Sequence, residues 1–408
     1  MTISILFVDD EPNILKGLKR TFHSMRSEWK MHYALSGDQA LKIMSENEID
    51  LVVSDMYMPE MDGAELLRKV QSEYPHVIRI ILSGHSDIKL ILKTLFPAHK
   101  FLNKPCTKEQ LLNTVKRILL AQKLLPHQET RAMINQIGAL PSQPFFFPVM
   151  QEDLYYQDME MLSRDIHYDV GMVANLLKVT VNSFFGEMDH LPTIQEAVNM
   201  LGTDVLNNLF KTNGHLATYE DFIIPELSVD KLWRHCLRTG KFASAIAKQE
   251  TQDSNTVYHC FIAGLLHDIG KYILIYKYFD SYRDLLQKMD TLDISPAQAE
   301  LDYFKTTHGA VGAYLMSLWG VPYDIIEAIA FHAQPSLLKH TQFTPLTAVH
   351  IADVLEHYFC QLRKDHLQRD LDAQYLQQIG IKSTLSQIKE TCKNIYQSEI
   401  SEQKKLLF

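Results

Sequence analysis

The sequence predicts an α/β domain with a parallel sheet, followed by an all-α half. Two observations carry this. Over about the first hundred residues, short β-rich apolar runs alternate with helix-length amphipathic segments, the pattern of a parallel sheet. From about residue 137 onward, nearly every segment instead repeats its apolar residues at helical spacing.

The strands are predicted at Ser4 to Val8, Leu51 to Ser54, Ile78 to Leu82 and Lys100 to Asn103. Each run ends on a polar group: Asp9-Asp10, Asp55, Ser83 and Lys104-Pro105. In an open parallel sheet the carboxyl ends of neighbouring strands face one crevice, so these groups are expected to converge. Three acids beside one another suit Mg²⁺, which takes oxygen ligands and keeps several waters, with Asp10 and Asp55 as direct ligands. A carboxylate can attack a phosphoryl group when nearby cations neutralise its oxygens, which makes Asp55 the nucleophile and Lys104 the cation. Ser83 can contact a phosphoryl oxygen only once phosphate is present, so it is the expected switch contact.

The motifs FVDDEP, VVSDMYMPEMDG, ILSGHSD and LNKP carry a resemblance. Residues 1–120 resemble the receiver domain of two-component response regulators. The resemblance implies a doubly wound, five-stranded, flavodoxin-like sheet and phosphotransfer from a histidine kinase to Asp55. It implies Mg²⁺ held by Asp10, Asp55 and the Tyr57 carbonyl, with Asp9 acting through water. It further implies Phe101 as a rotating aromatic and a cis peptide at Lys104-Pro105. The bulky Tyr57, two residues after the acceptor, departs from the pattern and bears on water access to a phosphorylated Asp55.

From Thr107 to about Ile137 the chain is rich in Leu, Lys, Gln and Glu, so the last receiver helix is expected to run on into a helical connector at 121–136. Gly138, Pro141, Pro144 and Pro148 surround a Phe145 to Phe147 cluster that marks entry into the next domain. Helices are expected at Asp158 to Lys178, Ile194 to Leu201 with Gly202 as C-cap, Leu232 to Gln249, Val257 to Tyr276, Ala310 to Leu318 and Leu346 to Tyr358. Residues 356–408 form a helical extension, an appendage or a homodimer element, with Leu376, Ile379 and Ile381 packing.

On these helices lie His235, the pair His267-Asp268, His308, His332 and Asp353, each flanked by apolar residues. Imidazoles and carboxylates together suit divalent transition metals such as Mn²⁺, Fe²⁺ or Zn²⁺. Paired metals can activate water at a phosphodiester, and Lys271, four residues after His267, is a candidate phosphate contact. Buried histidines equally serve to organise helices by bonding carboxylates, with no metal. His340, His350 and His357 are read as packed or solvated residues.

The segments DIHYDVGMVANLLKVTVNSFFG, TIQEAVNMLG, LWRH, AGLLHDIGK, HGAVGAYLMSLWGVP and AIAFHAQP carry a second resemblance. Residues 137–355 resemble the HDOD domain, a member of the HD superfamily with mostly regulatory roles. That implies an output module acting through protein contacts. The six His and Asp residues also correspond in order to the ligands of HD phosphohydrolases, cyclic di-GMP phosphodiesterases among them. The GYP tripeptide of that group is absent after His332, where Ala-Gln-Pro stands.

Net charge −9 and pI near 6.0 argue against nucleic acid, which needs a basic stripe. No apolar run reaches membrane-spanning length and no basic, apolar leader follows Met1, so a cytoplasmic protein is expected. Cys106, Cys236, Cys260, Cys360 and Cys392 form no CxxC pair and are expected as reduced thiols. Together the two resemblances imply a phosphorylation-controlled regulator with a histidine kinase as donor and a downstream signalling protein as target. A receiver-gated metal-dependent phosphohydrolase is the alternative.

Overall fold

The computed structural model describes residues 2–84, 93, 96–140, 159–181, 190–213, 229–292, 296–360 and 371–406. The Phe145 to Phe147 cluster and its flanking Pro141, Pro144 and Pro148 lie outside these residues. The chain divides into two compact units, one of residues 1–162, 175–217 and 318–320, the other of residues 163–174, 218–317 and 321–408.

In the first unit, β1 (Ile3–Val8), β2 (Trp29–Ala34), β3 (Leu51–Asp55), β4 (Ile78–Ser83) and β5 (Lys100–Asn103) form one parallel sheet in the order β2-β1-β3-β4-β5. Strand order reverses between β1 and β3, the place where such sheets open a crevice at their carboxyl ends. Register pairs Val8 with Ser54 and Asp55 with Leu82, so Asp9 and Asp55 emerge side by side. Ile5, Leu6, Val52, Val53, Ile80 and Ile81 are fully buried, as expected of strands covered on both faces.

The helices of this part are α1 (Pro12–Thr21), α2 (Gly37–Glu46), α3 (Gly63–Glu73), α4 (Lys108–Gln122) and α5 (Gln128–Asn135). Ser36 and Asp62 cap α2 and α3 through the backbone N–H groups of Gln39 and Glu65, and Thr107 with Gln110 forms a capping box on α4. Such caps are worth about 1 kcal/mol each. The expected continuous connector helix is corrected: α4 stops at Gln122 and α5 starts at Gln128. Pro126 lies between them, lacking an N–H donor and disfavouring helical backbone at Leu125. The fully buried Arg79 then ties α5 to the sheet, donating to the carbonyls of Asn135, Pro97 and Val77, while the Asn135 side chain donates to His76 O.

The remaining described elements are all helical: α6 (Met159–Ile166), α7 (Val170–Thr180), α8 (Ile194–Asn213), α9 (Val229–Glu250) and α10 (Ser254–Leu266). Then come α11 (Ile269–Lys277), α12 (Phe279–Leu292), α13 (Pro296–Phe304), α14 (His308–Trp319) and α15 (Tyr323–Phe331). Last are α16 (Pro345–Phe359), α17 (Ala373–Ile379) and α18 (Leu385–Leu406). Gly202 has φ 68° and interrupts α8, so helical backbone stops there and resumes beyond it.

A second correction concerns the single helix expected over Val257 to Tyr276. Two helices occupy that stretch, and the break falls at His267-Asp268. Apolar residues continue across the break because both helices are buried, which hides it from periodicity. Two close approaches set the helix crossings. A Cβ on Gly264 would lie 2.8 Å from Gly240 Cα, and one on Gly270 would lie 1.9 Å from His308 O.

Candidate functional sites

The first site gathers at the carboxyl ends of β1, β3, β4 and β5. Asp9 and Asp55 are buried, and Lys104 Nζ bridges them, 2.7 Å from Asp9 Oδ2 and 2.5 Å from Asp55 Oδ1. The other oxygens accept backbone bonds: Glu11 N–H to Asp9 Oδ1 at 2.9 Å and Tyr57 N–H to Asp55 Oδ2 at 3.1 Å. The Lys104-Pro105 peptide is cis, and Lys104 N–H donates to Ser83 O at 2.8 Å, setting the lysine beside the β4 end. Asp10 is half-buried beside Asp9, Ser83 and Phe101 are buried, and Tyr57 is largely exposed.

Burial opposes both charged partners. It raises the Asp55 carboxyl above its ordinary range even though Lys104 pulls the other way. For Lys104 the burial penalty is outweighed by Asp55 and Asp9, and its amine titrates higher than usual. Gly63 is required below the acceptor, since a Cβ there would sit 2.2 Å from Asp55 O.

The second site is built by α9, the α10–α11 break, α14, the end of α15 and α16. It brings together all six residues expected to form a cluster. Asp268 stands at the centre: Oδ2 lies 3.4 Å from His235 Nε2 and 3.6 Å from His267 Nε2, while Oδ1 lies 3.3 Å from His308 Nε2 and 3.9 Å from His332 Nε2. Asp353 Oδ1 lies 3.3 Å from His235 Nε2 and 3.6 Å from His267 Nε2.

The outer nitrogen of each ring is fixed. Nδ1 of His235 donates to Glu356 Oε2 (2.6 Å), that of His267 to Gly264 O (2.7 Å), that of His308 to Glu300 Oε2 (2.6 Å) and that of His332 to Ile329 O (3.0 Å). With Nδ1–H engaged outward, every Nε2 is directed inward, and neighbouring Nε2 atoms approach to 3.0 Å (His235–His267) and 3.3 Å (His308–His332). Two protonated nitrogens cannot face each other at that distance. Asp268 Oδ1 and Asp353 Oδ1 have no hydrogen-bond donor although both atoms are buried.

Burial penalises the carboxylates, yet the surrounding imidazoles, with Lys271 beside Asp268, hold Asp268 and Asp353 well below the ordinary range. Burial, aided by His267 and His308, lowers His332 to about 3. Lys271 Nζ is bonded to Asp268 Oδ2 at 2.6 Å, so in this state it neutralises the central carboxylate.

Three participants escaped the sequence reading. His357, set aside there, lies with Nδ1 3.0 Å from Asp353 Oδ1 and shares a possible ligand group with His235 and Asp353. Glu356 orients His235, and its place three residues after Asp353 on α16 was a readable helical-face signal. Glu300 holds both the backbone N–H and Nδ1 of His308 from the separate helix α13, for which no local signal exists. His350 instead links His332 O to Asp372 N–H, and His340 pairs with Glu327.

Family comparisons agree with both halves. The response regulator receiver domain model matches residues 5–116, and the HDOD domain model matches residues 149–335. The chain joins a receiver domain to an HDOD domain. An uncharacterized protein of Treponema pallidum (strain Nichols) is 26% identical over 228 residues, 54% of this chain and 43% of its own length. Sensor kinase CckA of Brucella abortus (strain 2308) is 39% identical over 124 residues, 29% of this chain and 13% of its own. The crystal structure of a signal receiver domain of an HD domain-containing protein from Pseudomonas fluorescens Pf-5 is 32% identical, covering 32% of this chain and 99% of that one, with TM-score 0.28. The chain spans less than half the length of these curated relatives. The receiver half is that of a two-component response regulator. Asp353 and Glu356 lie beyond the end of the HDOD match. Among the described residues no helix is long and apolar enough to cross a membrane.

Proposed function

We propose that a histidine kinase transfers a phosphoryl group to Asp55 and that this changes the protein contacts of the HDOD half. The observation that carries the reading is the Lys104 ammonium bridging the buried Asp9 and Asp55 carboxylates. Two buried carboxylates face the Lys104 ammonium and Asp10 follows Asp9 directly in the chain, a donor set with the charge and oxygen chemistry to take Mg²⁺ through Asp9, Asp10, Asp55 and the Tyr57 carbonyl. Bound there, Mg²⁺ supplies charge neutralisation for the phosphoryl oxygens. An Asp55 oxygen forms the new bond to phosphorus as the bond to the kinase histidine nitrogen breaks, giving an acyl phosphate and a neutral imidazole.

Lys104 then exchanges carboxylate for phosphoryl contacts, and the Ser83 hydroxyl gains a partner that exists only in the phosphorylated state. Phe101 is the aromatic that reports the change, and the output is a downstream protein or a homodimer contact in the cytoplasm, with no nucleic acid. Incubation with a small phosphodonor and Mg²⁺, read by intact mass, is expected to label the wild type and leave Asp55→Asn unlabelled. Equal labelling of both would remove the proposal.

The inward Nε2 atoms and the orphaned Asp268 and Asp353 oxygens support a second reading, a divalent-metal centre in the helical half. His235, His267, Asp268 and Asp353 would hold one ion, and Asp268, His308 and His332 another, with Mn²⁺, Fe²⁺ or Zn²⁺ suited to the mixed donors. Such ions supply an activated water, which would make this half a phosphohydrolase for a phosphodiester such as a cyclic dinucleotide. Elemental analysis of protein purified without an affinity metal is expected to find metal that Asp268→Ala loses. Equal metal content in the two would sink the reading.

A further inference from the structure

The helix α18 lies beyond the HDOD match, yet its side chains reach toward the histidine cluster. Glu399 on α18 accepts from two residues of α9, Arg238 Nε at 3.0 Å and Lys241 Nζ at 2.6 Å. Arg238 also lies 5.0 Å from the centre of the Tyr396 ring, which stacks on Phe359 of α16. From this clamp the Arg238 guanidinium presents Nη1 to Glu356 Oε1 and to Cys360 Sγ. The other Glu356 oxygen receives His235 Nδ1–H.

Both oxygens of Glu356 are therefore committed, one to the imidazole and one to the guanidinium. Its side chain is 2% exposed, so Arg238 supplies the opposite charge that such a buried carboxylate needs. Further anchors hold α18 in place: Gln249 donates to Thr391, and the backbone N–H groups of Lys382 and Ser383 bind the Glu250 carboxylate.

His308 is supported differently. Its Nδ1 partner Glu300 receives Tyr282 Oη–H at 2.9 Å, and both supporting residues come from α12 and α13. The two ends of the cluster thus rest on separate frames.

We infer that Glu399, acting through Arg238 and Glu356, is a positioning residue that holds His235 Nε2 toward a divalent cation, so that α18 is an integral part of the cation site. The inference rests on the metal reading above. Glu356 sets the tautomer, Arg238 sets Glu356, and Glu399 keeps the guanidinium turned inward. Partners one bond beyond a metal ligand typically carry 10–100-fold in metal affinity.

The test uses the full chain and Co²⁺ as probe, with affinity from chelator competition and ligand geometry from the Co²⁺ absorption spectrum. Glu356→Gln is expected to weaken Co²⁺ binding at the site containing His235, and its spectral band, by about 10–100-fold in affinity. Glu399→Gln, isosteric and one step further out, should weaken the same band several-fold with helix content unchanged. Glu300→Gln should alter the other band. Arg238→Lys, which keeps the charge but loses the fork joining Glu356 to Glu399, should weaken the same band at least as much as Glu399→Gln, and it decides the matter if Glu399→Gln loses helix content. Wild-type Co²⁺ affinity and spectrum in both Glu399→Gln and Arg238→Lys would overturn the inference. Absence of Co²⁺ binding by the wild type would overturn the metal reading and the inference with it.

Discussion

Replacing Gly270 with alanine tests whether the helical half is organised by backbone contact beneath the His267-Asp268 pair. A Cβ at this position would lie 1.9 Å from His308 O and 2.8 Å from Gly312 N. Close carbon-to-carbonyl contacts run at about 3.3 Å, so α11 and α14 must separate by about 1.4 Å. Both clashing groups are backbone, and no rotamer change relieves them. Overpacking of this kind costs about 3 kcal/mol at the upper end of its usual range, while alanine returns about 1 kcal/mol of helix propensity. The net expectation is a loss of about 2 kcal/mol.

The displacement also moves His308, whose Nε2 stands 3.3 Å from Asp268 Oδ1. Urea unfolding followed by circular dichroism gives the stability, and Co²⁺ affinity gives the geometry. The control is Gly17→Ala in α1, where a Cβ meets no heavy atom within 4 Å and a gain of about 0.5–1 kcal/mol is expected. A Gly270→Ala protein that gains stability as Gly17→Ala does, with unchanged Co²⁺ affinity, would refute the crossing argument.

Arg79→Met removes the donors of three buried carbonyls and should cost about 3–5 kcal/mol, seen as a lower urea midpoint for the receiver half. Lys100 donates to Val181 O at 3.0 Å, and burial lowers its pKa to about 7. An unfolded lysine keeps its proton to about pH 10.4, so between these values the unfolded chain binds more protons and stability rises with pH. Lys100→Met should flatten that rise in urea midpoints taken from about pH 7 to pH 10, and an unchanged slope would count against the burial argument. Ser83→Ala should still be labelled at Asp55 by a phosphodonor yet lose any phosphorylation-dependent change in protease sensitivity. Retention of that change would assign the switch contact elsewhere.

The receiver site was legible because its chemistry sits at the ends of strands whose apolar runs are unmistakable. The edge strand β2 was not read from its residues, since Trp29 to Ala34 mixes buried ends with a polar, partly exposed middle. The six cluster residues were legible from their motifs, whereas Glu300 was hidden because its partner His308 belongs to another helix. His357 was misjudged for a related reason: a histidine gains meaning only from what the fold places opposite it, here Asp353 and His235. The connector was misread because helix-favouring composition outweighed the single Pro126, which locally decides the matter.

The histidine cluster has a consequence for how this half of the chain assembles. His235 and its partner Glu356 are 121 residues apart, and the other members arrive from helices in between. Unfolded chain cannot offer these donors together, so an ion that fits them would bind only after the helices have docked. Nearly all of its binding free energy would then fall on the native state, rising with ion concentration by mass action. In a cell, availability of the ion would thereby set how often this half opens to proteases, even if it never catalyses a reaction.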